Sequence, residues 1–146
     1  MRAVLCPELG SIESLVVGER GSPALSDGGV RIGVKAAGVN FPDILMAEGK
    51  YQVKPDLPFT PGLEVAGEVL ECAAGVNHVK PGDRVLAFAR HGGGFAEEVV
   101  LPGEIVTPIP SDMDFVTAAA FPVAYGTAHF ALTHRGNLRP GETLLV

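Results

Sequence analysis

The side chains able to carry chemistry in this 146-residue chain are few and widely spaced. Asn40 follows Gly38-Val39 and precedes Phe41-Pro42-Asp43. Its carboxamide can donate to a carbonyl oxygen, but Asn is also a turn former, and on the residues alone the turn is the stronger reading. Tyr51, in Gly49-Lys50-Tyr51-Gln52, offers a ring for stacking and a hydroxyl for donation; an exposed loop residue would read the same way. Thr127 falls early in a helix-like run, where a hydroxyl either meets a ligand or simply packs. Glu64 stands in the apolar stretch Leu63-Glu64-Val65-Ala66. A carboxylate buried there must be paired or protonated, and an arginine partner is the expectation. Asp43 reads as a structural residue capping locally.

Other chemistries find no support. Cys6 and Cys72 are isolated, with no Cys-x-x-Cys pair to supply thiolates to a metal. His129 and His134 are five residues apart, a spacing that does not put two ligands on one helix face. No serine sits in a nucleophile elbow. Gly92-Gly93-Gly94 precedes a strand-like run, whereas a phosphate cradle needs a helix N-terminus after it, so a hairpin turn is expected instead. The net charge of −6 and the scattered Lys and Arg disfavour a nucleic-acid partner. No apolar run has the length of a membrane span. Free thiols, and no secretory pattern at Met1–Cys6, predict a cytoplasmic protein.

These residues must be positioned by a mainly β framework. Hydrophobic residues make up 47% and charged ones 19%, which places the chain among globular proteins. The 19 glycines and 12 prolines separate short apolar runs, as turns separate strands. Strands are predicted at Met1–Cys6, at Val30–Ala36 with its alternation, at Leu63–Val69, at Asp83–Phe88 and at Phe95–Leu101. Such a series favours a barrel or sandwich. A short helix is predicted from Pro42 to Glu48, closed by Gly49. After Pro110 the pattern turns helical. Asp112 or Asp114 can cap a run through Phe115–Ala120. A second helix is predicted from about Val123 to His134, then a turn at Leu138–Glu142 and an apolar strand at Thr143–Val146. A strand that stops as it begins suggests that the native chain continues.

Five segments in order resemble one family: Gly38–Asp43, Pro61–Val69, Gly82–Val85, Tyr125–Ala128 and Leu138–Val146. Each is weak alone. Together they resemble the medium-chain dehydrogenase/reductase superfamily, in its zinc-independent NADPH:quinone oxidoreductase branch. The resemblance implies a GroES-like, partly open β-barrel over residues 1–121. Residues 122–146 would then be the first helices and strand of a truncated Rossmann domain. It also implies where zinc would sit in metal-dependent relatives. Asn40 stands in the place of the thiolate, Leu63 in that of the imidazole, and Pro42 in that of the proton-relaying hydroxyl. No metal is therefore expected. The implied reaction is hydride transfer from NADPH to a quinone or conjugated carbonyl. Asn40 and Thr127 would hold the nicotinamide, with Asn40 and Tyr51 at the acceptor. The preference for NADPH rests on the resemblance alone. The pyrophosphate cradle is expected beyond Val146, so the 146 residues alone are expected to be inactive. A homo-oligomer is expected, with only a small molecule as further partner. Three alternatives stand beside this reading: an enoyl reductase acting on thioester enones, a stand-alone GroES-like binding module, and a protein that keeps the fold without the activity.

Overall fold

In the computed structural model, which describes residues 1–146, the alternating apolar runs become strands and the glycine–proline segments become the turns between them. A two-stranded antiparallel ribbon joins β1 (Arg2–Leu5) to β2 (Val16–Glu19). The main sheet contains β3 (Gly29–Gly38), β4 (Glu64–Cys72), β5 (Arg84–Phe88), β6 (Glu98–Pro102) and β7 (Val106–Pro108). Its order is β6-β3-β4-β5-β7, with every pair antiparallel.

The sheet cannot be flat. Strands β6 and β7 lie at opposite edges, yet only the single turn Gly103–Ile105 separates them in sequence. A flat five-stranded sheet would hold its edges ~19 Å apart, whereas the four residue steps from Pro102 to Val106 reach at most ~14 Å. The sheet must therefore curl until its edges approach, which makes a partly open barrel. The closing turn is pinned by hydrogen bonds to neighbouring loops. Gly103 N–H donates to Gly28 O at 2.9 Å. The His78 ring, as its Nε2–H tautomer, faces Gly103 O at 3.0 Å and Val106 O at 3.2 Å. The curled interior is filled by apolar, mostly β-branched side chains, among them Val30, Ile32, Val65, Val85 and Val99, with Leu101.

Helix α1 (Phe41–Ala47) has Pro42 in its first turn and ends at Gly49, whose φ is 71°. It starts one residue earlier than its predicted range. The later helices are α2 (Phe115–Ala119) and α3 (Phe121–His129), the latter continued by a π-helical turn over Phe130–Arg135. Asp114, rather than Asp112, caps α2: its Oδ1 accepts Thr117 N–H at 2.8 Å and its Oδ2 accepts the Thr117 hydroxyl at 2.7 Å. Arg84 fastens this region to the barrel by donating to Met113 O at 2.6 Å and Ser111 O at 2.7 Å, with its guanidinium 4.4 Å from the Phe115 ring centre.

Four expectations differ from the structure. His129 and His134, expected on different helix faces, have rings 6.1 Å apart because the π-helical turn between them brings positions five apart together. Strands β2 and β7 have no counterpart in the predicted set, because a four-residue run broken by Gly18 and a three-residue run ending in Pro108 are too short to show alternation. The Gly92-Gly93-Gly94 triplet is not a hairpin: β5 and β6 are not neighbours in the sheet. It is a crossing segment laid on Thr60–Gly62, with Gly93 N–H donating to Thr60 O at 2.7 Å and Gly94 N–H to Gly62 O at 3.0 Å. Thr143–Val146, predicted as a strand, pairs with no strand and is exposed. A ladder needs a partner, and these four residues have none in this chain.

Candidate active site

The strand register brings the candidate residues together. Gly38 of β3 pairs with Glu64 of β4, and Glu64 pairs with Phe88 of β5. These three positions form a row across the sheet at the end where β3 gives way to Asn40 and α1. One extra residue in β3 between Val34 and Ala36 shifts the pairing there, and such a bulge re-aims the strand beyond it.

At this end lies a cleft of about 230 Å³ lined by Pro42, Tyr51, Leu63, Phe88, Pro122, Val123 and Thr127. Four elements contribute: the start of α1, the loop after it, the β4–β5 sheet end and the first half of α3. Leu63 is only 1% exposed and belongs to a small core with Cys6, Met46, Ala47 and Phe59. Tyr51 and Val123 pack on the same core, so the cleft floor is rigidly supported. The Tyr51 and Thr127 hydroxyls have no hydrogen-bond partner within the chain. The cleft is thus apolar-walled with two free hydroxyls, the make-up of a site for a flat ring carrying a polar substituent.

Asn40 is not among the residues that line this cleft. Its Nδ2 donates to Glu64 Oε1 at 2.8 Å. Its backbone N–H donates to Asp43 Oδ2 at 2.9 Å, while Asp43 Oδ1 accepts Gly62 N–H at 2.9 Å. Asp43 therefore clamps the start of α1 to the segment that leads into β4. It is 4% exposed. Burial pushes its carboxyl above the usual carboxylate range, against the lowering effect of the Asn40 and Gly62 N–H donors and with a smaller push from the nearby Glu64 charge.

Glu64, 3% exposed, is paired differently from the arginine expectation. Its Oε2 accepts Val123 N–H at 2.8 Å, and Asn40 holds the other oxygen. Two glycines make this packing possible. Any Cβ on Gly38 would collide with the Glu64 carboxylate. Gly62, at φ 102°, would place a Cβ 2.7 Å from Phe95 Cδ1 and 2.8 Å from Gly94 C. No group of three or more His, Cys, Asp or Glu side chains gathers where a metal ion would need them.

Sequence reasoning assigned Asn40, Tyr51 and Thr127 to one site; the structure lines one cleft with Tyr51 and Thr127, and Asn40, expected at both nicotinamide and acceptor, is not among its lining residues. Phe88, Pro122 and Val123 were missed as lining residues. Phe88, at the last position of a strand and still 41% exposed, is the one that a strand-end reading could have found.

Residues 26–111 match the family model described as the alcohol dehydrogenase GroES-like domain. A quinone oxidoreductase-like protein 2 homolog from Nematostella vectensis is 49% identical over 146 residues, covering 99% of this chain and 40% of that protein. The solved structure of the quinone oxidoreductase from Thermus thermophilus, studied also in its complex with NADPH, superposes with a TM-score of 0.82 at 37% identity, over 97% of this chain and 43% of that one. The human synaptic vesicle membrane protein VAT-1 homolog-like protein gives a TM-score of 0.91 at 39% identity, over 97% and 45% respectively. The chain spans about 40% of the length of the curated relatives it matches.

Proposed function

The chain belongs to the alcohol dehydrogenase GroES-like domain family, on the quinone oxidoreductase-like side of the medium-chain dehydrogenase/reductase superfamily, and from that premise we propose that its cleft is the acceptor end of a zinc-independent, NADPH-dependent reductase of quinones or conjugated carbonyls. The observation that carries this reading is Leu63. It closes the floor of the cleft as a buried hydrocarbon beside Pro42, at the place where metal-dependent relatives need an imidazole. With Asn40 in the thiolate position, neither thiolate nor imidazole is left, and the neighbouring Glu64 and Asp43 oxygens are each already taken by an N–H donor. An electron-poor acceptor needs no Lewis acid that strong.

The residues present fit a nicotinamide. Its flat ring suits apolar walls, and its carboxamide needs hydrogen-bonding partners such as the free Thr127 hydroxyl. When bound, NADPH supplies the hydride. Thr127 then orients the ring, and Leu63, Phe88 and Pro122 keep water from the reacting atoms. Tyr51 stacks beside the acceptor and offers its hydroxyl to the oxygen that gains charge. Asn40, hydrogen-bonded to Glu64, helps to set the geometry of this end of the sheet. In this reading residues 1–121 form the substrate domain and 122–146 begin the nucleotide-binding one. The burial pattern supports that division, since no residue after Ala119 is buried. A homo-oligomer and a cytoplasmic location belong to the same proposal.

The test is NADPH oxidation by the full-length protein with a simple benzoquinone, before and after dialysis against a chelator. Turnover that survives chelation is expected. Turnover that is lost with the chelator and restored by zinc would overturn the metal-free reading. Stoichiometric NADPH binding with no turnover on any quinone or enone would favour a member that keeps the fold without the activity.

A further inference from the structure

Helix α3 begins without a cap of its own. Ala120, at its N-cap position, has no side-chain acceptor, and Pro122 has no N–H to satisfy. Val123 N–H is therefore a first-turn donor in need of a partner. The partner is Glu64 Oε2, at 2.8 Å and 59 residues away in sequence. Glu64 Oε1 is taken by Asn40 Nδ2 at 2.8 Å. No Lys, Arg or His forms an ion pair with this buried carboxylate. Its two oxygens are spent instead on one donor from the start of α3, which lines the cleft, and one from the residue just before α1.

We propose that Glu64 is the positioning residue of the cleft, capping α3 through Val123 with one oxygen and fixing the direction of the Asn40 amide with the other. The first half follows from the missing local cap. The second follows from polarity. A backbone N–H can only donate, so the oxygen facing Val123 must accept. A carboxylate likewise offers only acceptors to Asn40, which must turn Nδ2 inward. An amide's direction is set by its network, and here the network is anchored on Val123. Glu64 thereby ties the loop carrying Asn40 and the helix carrying Thr127 to the same strand end. Its influence on ligand binding rests on the proposed function; its capping of α3 does not.

Two substitutions separate the halves. Glu64→Ala removes both oxygens. Amide exchange in the full-length protein should then quicken roughly 10-fold over Val123–Thr127, as for loss of an N-cap. Glu64→Gln keeps one oxygen for Val123, so exchange there should stay within about 2-fold of wild type. Its amide nitrogen must then face Asn40, whose own amide turns over. The KM for NADPH should rise by the same roughly 10-fold as in Asn40→Ala, with kcat less affected, and the double variant should be no worse than Asn40→Ala alone. Unchanged exchange at Val123 in Glu64→Ala would overturn the capping half; multiplicative KM effects in the double variant would overturn the orienting half. Should Glu64→Ala not fold, an unprotected Val123 N–H in Glu64→Gln would overturn the capping half equally. Should the protein have no NADPH-dependent turnover, the proposed function fails by itself, and the Asn40 side-chain amide resonances decide the orienting half: they must shift in Glu64→Gln.

Discussion

Replacing Gly62 by alanine tests how the cleft floor is held. Gly62 lies between Pro61 and Leu63 with φ 102°, and an added Cβ would come within 2.5 Å of Phe95 N, 2.7 Å of Phe95 Cδ1 and 2.8 Å of Gly94 C. A positive φ costs an L-residue ~1–2 kcal/mol. Forcing the Gly94–Phe95 backbone aside adds ~1–3 kcal/mol, as overpacking does. If the strain is relieved by shifting Gly62, its N–H leaves Asp43, and a buried unpaired group costs another ~1–3 kcal/mol. The loss should therefore be ~3–8 kcal/mol, a large part of the ~5–15 kcal/mol by which domains are stable. Gly75→Ala is the control. Gly75 has a similar φ of 89° but nothing within 4 Å of the added Cβ, so only the ~1–2 kcal/mol backbone cost applies. Urea denaturation of the two variants side by side gives the contact part as a difference, expected to be at least ~2 kcal/mol. Equal losses in the two variants would refute the reasoning, because the clamp of Gly94–Phe95 on the cleft floor would then be loose enough to yield freely.

Asp43 predicts a pH dependence. A carboxyl whose folded pKa is raised contributes stability that is fully present below the ordinary carboxylate range and is lost as pH rises through the raised value. The stability of wild type relative to Asp43→Asn, measured by denaturation, should therefore decline as pH rises above about 4; a difference that grows with pH would contradict the stated burial effect. Burial likewise raises the Cys6 thiol, which donates to Glu8 O at 3.1 Å. At neutral pH Cys6 should resist a disulfide reagent in the native protein and react promptly in denaturant, and fast native labelling would count against its buried placement. Thr127→Val keeps the volume of the side chain and removes the free hydroxyl, so the KM for NADPH should rise by roughly 2- to 10-fold with the melting temperature nearly unchanged; an unaltered KM would remove Thr127 from the site.

The parts of this fold that the chain displays openly are those with a local cause. Val30, Ile32 and Val34 recur at every second position because one face of β3 fills the barrel, and Gly49 ends α1 because its positive φ is cheap only for glycine. Even the choice between Asp112 and Asp114 was nearly local, settled by which carboxylate reaches the Thr117 N–H. What the chain conceals is every relation between distant segments. The closure of β6 onto β7 through Gly103–Ile105 is visible only once the strand order is known. The bulge between Val34 and Ala36 falls in a run that reads as one unbroken alternating strand. The site follows the same division. Tyr51 and Thr127 are legible as hydroxyls in a suitable neighbourhood, and the fold brings both to one cleft. Glu64 is legible as a buried carboxylate in want of a partner, but not as the cap of α3, because the donor it meets is a backbone N–H. Every residue but proline carries one, so no residue type can announce it. A buried acid that finds no arginine in its surroundings is thus best read as a claim on main-chain donors, and the uncapped helix start at Ala120-Phe121-Pro122 is where that claim is met.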